Sequence, residues 1–209
     1  GEAMAPAGSV LVTSPAGVVE GIIPESDAGE EIEYAGALLT PGFINAHCHL
    51  ELSHLKNQVT PGTGLINFLL EVVGKRDFDP AVIQDAIMAA EQEMFDAGIV
   101  AVGDISNTPD SVKVKSKSRI LWTNFIEVLS FSDEKAEDQL KHYGDVLKQF
   151  RALENIRDDR NPVYQSNLVP HAPYSISPKS FRMINDATSG QVISLHNQET
   201  PDEDALYKT

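Results

Sequence analysis

From Pro41 to the end of the sequence, short β-rich apolar runs alternate with amphipathic segments that have helical spacing. This alternation is typical of βα units around a parallel sheet, and it constrains the fold more than any other feature. The candidate strands are residues 43–47, 99–104, 120–129, 166–169 and 192–196. A polar loop follows each run, so polar side chains are expected at the carboxyl ends of the strands.

The residues before Pro41 follow a different pattern. Short β-rich runs at 9–13, 17–23 and 32–40 are punctuated by Gly and Pro, and no helical period of useful length occurs there. The sequence therefore predicts two domains, a small all-β region at 1–41 and an α/β region at 42–209.

Helix-start signals support the α/β interpretation. Asp79 and Ser177 each precede a proline, which is the order expected for an N-cap followed by the first helical residue. Gly98 is a candidate C-cap for the first of these helices. Thr200 and Glu203 have the spacing of a capping box and predict a further helix near the end of the sequence.

Charge and cysteine content exclude several classes of protein. The formal charge is −15, with 31 acidic and 16 basic residues, which argues against partners such as nucleic acid and anionic membranes. In the basic stretch at 113–119, basic residues alternate with other residues, a pattern that predicts a solvent-exposed edge strand and not a nucleic-acid site. Cys48 is the single cysteine, so no internal disulfide can form, and with no visible signal peptide a cytoplasmic location is the expectation.

The strongest local motif is His47-Cys48-His49, directly after the apolar residues 42–46 at the start of the α/β region. Side chains two residues apart on a strand point to the same face, so the two imidazoles would converge at a strand end. That arrangement suits a divalent metal, which takes imidazole nitrogens at about 2.0–2.1 Å. The alternative is a pair of hydrogen-bonded histidines without a ligand.

Two later segments carry further candidates. His196 ends the last β-like run and is a third candidate metal ligand, and Glu199 is placed either to reach a metal-activated water or to interact with the next helix N-terminus. His171 lies between Pro170 and Pro173, which restrict the loop, and it would either contact substrate or serve the loop backbone.

Residues close to these motifs are weaker candidates. Glu51, Ser53 and His54 come shortly after His49 and either line the pocket or have a surface or loop role. Asp104, at the end of the second strand, is interpreted as structural.

Together, three segments resemble the amidohydrolase superfamily, in particular its branch of cytosine deaminases and chlorohydrolases. They are Pro41-Gly42-Phe43 with the following His47-Cys48-His49, the segment Pro170–Ser175, and the segment His196–Thr200. The resemblance covers essentially the whole chain. It implies an α/β fold that is an incomplete (β/α)8 TIM barrel of about five βα units. It also implies that residues 1–41 are part of a small β-sandwich.

The resemblance also implies residue roles and a reaction. His47, His49 and His196 would bind one divalent metal ion per subunit, with zinc expected and iron as the alternative. Glu199 would move a proton and His171 would contact substrate. The implied activity is hydrolytic deamination of an amino-substituted heterocycle such as a purine, pyrimidine or nucleoside derivative. The alternatives are a chlorohydrolase, a cyclic amide hydrolase, or a catalytically incomplete metal-binding fragment.

The sequence departs from the family pattern in one respect. The family has a further histidine after the sixth strand and an aspartate after the eighth, and neither is present in these 209 residues. A complete barrel of this type takes about 250 residues. The chain is therefore interpreted as the N-terminal portion of such an enzyme, acting on a small-molecule substrate. A homo-oligomer is compatible with these features.

Overall fold

The structure, a computed structural model, describes residues 4–36, 38–154 and 165–208. It divides into two compact units, Gly1–Pro41 and Gly42–Thr209. In the first unit, β1 (Ser9–Thr13) pairs with β2 (Val19–Pro24) in an antiparallel hairpin. The predicted strand at 32–40 is wrong for the part that is described, since residues 32–36 and 38–40 have no strand conformation.

The second unit is built on a four-stranded parallel sheet with the strand order β3-β4-β5-β6. Its strands are β3 (Phe43–Cys48), β4 (Ile99–Ser106), β5 (Leu121–Val128) and β6 (Gln165–Pro170). All three strand pairs are parallel, so the four carboxyl ends lie at one edge of the sheet. The mixed α/β class predicted from the alternating pattern is confirmed.

Six helices accompany the strands in the described residues: α1 (Leu65–Lys75), α2 (Pro80–Asp96), α3 (Val112–Lys115), α4 (Ala136–Glu154), α5 (Pro178–Ala187) and α6 (Pro201–Lys208). The sequence signals for the starts of α2, α5 and α6 are confirmed. The Asp79 carboxylate accepts from the backbone N–H of Ala81, and the Ser177 hydroxyl accepts from that of Ser180. Across the described residues, no helix is long and apolar enough to cross a membrane.

The core lies between the sheet and the helices α2, α4 and α5. Strand residues such as Val102, Trp122 and Ile126 are almost completely buried, and Phe150 of α4 and Ile184 of α5 pack into the same cluster. Burial of large apolar side chains contributes about 1.5–3 kcal/mol each. This packing holds the strand ends in fixed positions, which is the property a site built on them requires.

The predicted strand at 192–196 does not form, so the unit has four strands in its described residues instead of five. The segment makes one backbone hydrogen bond to the end of β6, from His196 N to His171 O at 2.9 Å. A strand ladder needs several such bonds in succession. Val192 and Ile193 are 65% and 47% exposed, so apolar packing does not supply the missing stabilisation.

The interpretation of residues 113–119 as a solvated strand edge is also wrong. Residues Val112–Lys115 form the short helix α3, and the side chain of Lys115 is fully buried. Its ammonium group forms an ion pair with Asp104 and a 2.7 Å hydrogen bond to Asn124 Oδ1. A buried charge needs such partners, and they come from β4 and β5, which lie elsewhere in the sequence.

Candidate active site

The first part of the site is the end of β3. His47 and His49 lie two residues apart, and their ring centroids are 5.2 Å from each other. Cys48, between them, is paired in register with Asp104 of β4. Burial, followed by the charge of Asp104, raises the pKa of the Cys48 thiol to about 12, so this side chain stays a neutral thiol.

His196 joins this pair although it does not lie on a strand. Its Nε2 is 3.2 Å from Nε2 of His47, and its ring centroid lies 4.8 Å from that of His47 and 5.5 Å from that of His49. One ring nitrogen from each of the three histidines falls within a group whose members are all within 4.8 Å of one another. The structure therefore brings the three candidate ligands together.

His171 follows β6 directly and lies beside the same cluster. Its ring centroid is 5.1 Å from that of His196, and its Nδ1 is 2.6 Å from the Ser175 hydroxyl. Pro173 begins a short 3-10 turn that carries Ser175, so the loop backbone that precedes the turn is restricted. This turn orients the His171 ring.

Glu127, at the carboxyl end of β5, is a site residue that the sequence analysis did not identify. Its carboxylate is buried, and Oε1 lies 3.1 Å from Nδ1 of His196. Glu127, His171 and His196 form a second group of potential ligand atoms within 4.8 Å. The signal in the sequence was its place near the end of a β-rich run, at the same sheet edge as His171.

The imidazoles and the carboxylate shift one another's pKa values. Burial lowers the pKa of His47 and of His49, and for His47 the nearby His196 adds to the effect. The hydrogen bond to Glu127 raises the pKa of His196 despite its burial. Burial alone would raise the pKa of Glu127, but the hydrogen bond from His196 and the surrounding imidazoles outweigh it, and the net direction is down. Glu127 is thus ionised, and His47 and His49 favour the neutral form that binds metals.

Glu199 lies three residues after His196, and its side chain is exposed. Burial lowers the pKa values of His47 and His171, and the charge of Glu199 partly opposes that effect; it also adds to the raised pKa of His196. Its backbone N–H donates to Oε2 of Glu203 at 2.9 Å, and this bond ties the segment to the first turn of α6.

Of the weaker candidates, Glu51 is buried in the 3-10 turn that follows β3 instead of lying at the surface. It accepts hydrogen bonds from the backbone N–H groups of Asn107 and Thr108, at 3.0 and 2.8 Å. Burial raises its pKa to about 7. Ser53 donates to the backbone of its own turn, and His54 Nε2 lies 3.1 Å from the carbonyl oxygen of Arg76. The contacts of Ser53 and His54 thus hold local backbone and do not involve the histidine cluster.

The histidine geometry fits a shared divalent cation. Two nitrogen ligands at the usual distance in a tetrahedral site lie about 3.3 Å from each other. The 3.2 Å between Nε2 of His47 and Nε2 of His196 agrees with that separation. Several neutral imidazole nitrogens in one small volume are the donor set that zinc and iron accept.

Comparisons with known proteins found a matching family and similar enzymes. The sequence profile of the Amidohydrolase family matches residues 38–204. The chain is 28% identical over 180 residues to an aminodeoxyfutalosine deaminase of Deinococcus radiodurans, a match that covers 85% of this chain and 40% of the relative. The chain thus spans about two fifths of the length of that curated relative.

Two solved structures are also similar. The aminofutalosine deaminase of Helicobacter pylori, in complex with methylthio-coformycin, has a TM-score of 0.59 and 27% identity, over 77% of this chain and 38% of that one. An adenosine deaminase from Xanthomonas campestris with bound zinc has a TM-score of 0.69 over 95% of this chain and 46% of that one. Its identity is 21%, so this second likeness concerns the fold.

Proposed function

The chain belongs to the amidohydrolase family, and on this premise we propose that it carries the metal-binding part of a metal-dependent deaminase. The proposed substrate is an amino-substituted heterocycle, a purine, pyrimidine or nucleoside derivative. The names of the relatives, which are deaminases of aminodeoxyfutalosine and of adenosine, support this class of substrate. Displacement of chloride or opening of a cyclic amide would use the same groups, and these names favour deamination over both.

In this proposal the four parallel strands are the first part of a (β/α)8 barrel, and Gly1–Pro41 is part of a small β-sandwich. The likeness to the Xanthomonas structure over 95% of the chain supports the assignment. In barrels of this type, the active site is formed at the carboxyl ends of the strands. His47, His49, Glu127 and His171 all lie at that edge.

The proposed ligands are His47, His49 and His196, with one ion per subunit. Zinc is the expected metal and iron the alternative. When bound, the ion makes water a nucleophile at neutral pH, because it lowers the pKa of the water to about 7. The observation that carries the proposal is the 3.2 Å approach of Nε2 of His47 and Nε2 of His196, from two segments 149 residues apart in sequence.

The other groups would handle the proton and the substrate. The Glu199 carboxylate takes a proton from the attacking water and delivers it to a ring nitrogen, which makes the adjacent carbon more electrophilic. The water oxygen forms the new bond to that carbon. The carbon–nitrogen bond then breaks as the amino group takes the remaining proton of the added hydroxyl group, which leaves ammonia and a carbonyl oxygen on the ring. His171, held by Ser175, contacts the substrate near this carbon. Proton transfer of this kind contributes about 10²–10⁴-fold to rate.

The first test measures zinc binding to the 209-residue chain by competition with a chelating dye. We expect one equivalent of zinc in the chain and a large loss of affinity in His196→Ala. A chain that binds no zinc, or a His196→Ala variant that binds it as well as the parent, contradicts the proposed site.

The second test concerns Glu199. Glu199→Gln should keep its zinc and lose ammonia release by about 10²–10⁴-fold. The matched control is Glu134→Gln, which removes an exposed carboxylate from the loop before α4. If the parent chain binds zinc and releases no ammonia from any aminopurine or aminopyrimidine nucleoside, the chain is the catalytically incomplete metal-binding fragment.

A further inference from the structure

We infer that Glu127 is a positioning residue that fixes the orientation and the protonated nitrogen of His196, so that Nε2 of His196 is free to bind the metal. This inference rests on the proposed metal site and names a residue that the site needs beyond its three ligands. Ligating histidines commonly donate their other ring N–H to a carboxylate, which fixes the tautomer and the ring plane.

The contacts of His196 determine which ring nitrogen carries the proton. Nδ1 lies 3.1 Å from Oε1 of Glu127 and 3.3 Å from the carbonyl oxygen of His171. The backbone carbonyl oxygen can only accept a hydrogen bond, so Nδ1 must be the donor, and the Glu127 oxygen on the same side accepts from it as well. In the neutral ring, Nε2 then has the free lone pair, and Nε2 is the nitrogen that lies beside His47.

The position of His196 depends on its side-chain contact with Glu127, whereas a strand positions the other two proposed ligands. His47 lies on β3 and His49 comes directly after it, and this strand is held by hydrogen bonds to β4. Residues 192–196, in contrast, form no strand. The backbone of His196 is held to the sheet by a bond to His171 O. A side-chain bond to Glu127, which lies on the buried strand β5, gives the imidazole the second fixed point that defines its orientation.

Glu127 is itself held in a defined orientation. The side-chain amide of Asn107 donates to the Glu127 backbone carbonyl at 2.9 Å and to Oε2 at 3.3 Å. The Asn107 backbone is in turn held by Glu51. The two carboxylate oxygens of Glu127 therefore have different donors, Asn107 at one and His196 at the other.

A second cation bound by Glu127, His171 and His196 is the competing explanation for this cluster. Such an ion would have to displace the proton from Nδ1 of His196. It would also share this ring with the ion at His47. A hydrogen bond satisfies the same atoms without either requirement, and we therefore favour it.

The test variant is Glu127→Gln. Glutamine has one oxygen, but both Asn107 and His196 bring an N–H group to this side chain, so one of the two donors loses its acceptor. We expect zinc affinity to fall about 10–100-fold, measured by dye competition on the 209-residue chain. The matched control is Glu91→Gln, which removes a charge from a part-buried glutamate that bonds Ser118 away from the cluster, and its affinity should equal that of the parent.

A second readout does not depend on metal. In metal-free protein in alkaline buffer, ¹⁵N NMR of the imidazoles should show the proton of His196 on Nδ1, with the signal assigned by comparison with His196→Gln. In Glu127→Gln this preference should weaken, while the signals of His54 and His142, which lie outside the cluster, stay in place.

The outcomes separate the two proposals. Equal zinc affinity in Glu127→Gln and the parent, or a proton on Nε2 of His196, overturns the role of Glu127. Two zinc equivalents in the parent and one in Glu127→Gln overturn it in favour of a second cation. A parent chain that binds no zinc defeats the proposed function, and the NMR result still decides whether Glu127 orients His196.

Discussion

Two polar clusters are built on the parallel sheet, one within it and one at the carboxyl ends of its strands, and they differ in how their polar groups are satisfied. In the lysine cluster (Asp104, Lys115, Asn124 and Ser166), the Lys115 ammonium bonds Asp104 and Asn124, and Asn124 donates to Ser166 at 3.2 Å. In the histidine cluster (His47, His49, His171 and His196, with Glu127), Nε2 of His47 and Nε2 of His196 point at each other. The first cluster pairs a cation with a carboxylate inside the protein, whereas the second gathers the imidazole nitrogens that we propose to bind an added cation.

The two clusters share one structural link. Asp104 also accepts a hydrogen bond from the backbone N–H of Leu50, the residue after His49, at 2.8 Å. Lys115 therefore neutralises a carboxylate that holds the turn following the two β3 histidines. The comparison of the two clusters shows that buried polar residues do not by themselves indicate a ligand site. A buried group whose hydrogen bonds are all formed within the protein has little capacity left to bind a ligand.

The largest effect is expected from Lys115→Ala. Removing one partner of a buried ion pair leaves Asp104 as an uncompensated buried charge, which costs about 3–5 kcal/mol. The measurement is the free energy of unfolding in urea, with the exposed Lys113→Ala as the matched control, expected within about 0.5 kcal/mol of the parent. A Lys115→Ala variant as stable as this control would show that the lysine cluster is not the structural element described above.

The next effect tests the histidine cluster by adding zinc. Zinc at one hundred times its Kd should raise the free energy of unfolding by about 2.7 kcal/mol, because it binds the folded state. His196→Ala should show almost none of this increase. An equal increase in both proteins would mean that zinc binds elsewhere, and the contrast between the clusters would fail.

The smallest effect is expected from removing one hydrogen bond of the lysine cluster, between Asn124 and Ser166. Ser166→Ala removes the acceptor for the Asn124 amide and should lower the free energy of unfolding by about 1 kcal/mol. Zinc affinity should not change, because Ser166 bonds the completed cluster and not the histidines. The exposed Ser189→Ala serves as the control, and a loss of zinc affinity in Ser166→Ala alone would show that the two clusters are coupled.

Local sequence patterns predicted the features that depend on neighbouring residues, namely helix starts and the side-chain spacing along a strand. The starts of α2 and α5 follow from capping residues before proline, and the close approach of His47 and His49 follows from the two-residue period of a strand. The strand at 192–196 was predicted by the same local pattern and does not form, because a strand also needs successive backbone bonds to a neighbour.

By itself, the sequence determined the α/β alternation, the histidine motif at the end of β3 and the family to which the chain belongs, since each depends on residues close together or on a linear match. The tertiary structure alone decided that Lys115 is buried and that Glu127 meets His196, and it gave the distance at which His196, a candidate ligand already from the resemblance, reaches His47. These contacts join residues that are 11 to 149 positions apart in the sequence. Their formation depends on the packing of the sheet against its helices, and no local pattern encodes that packing.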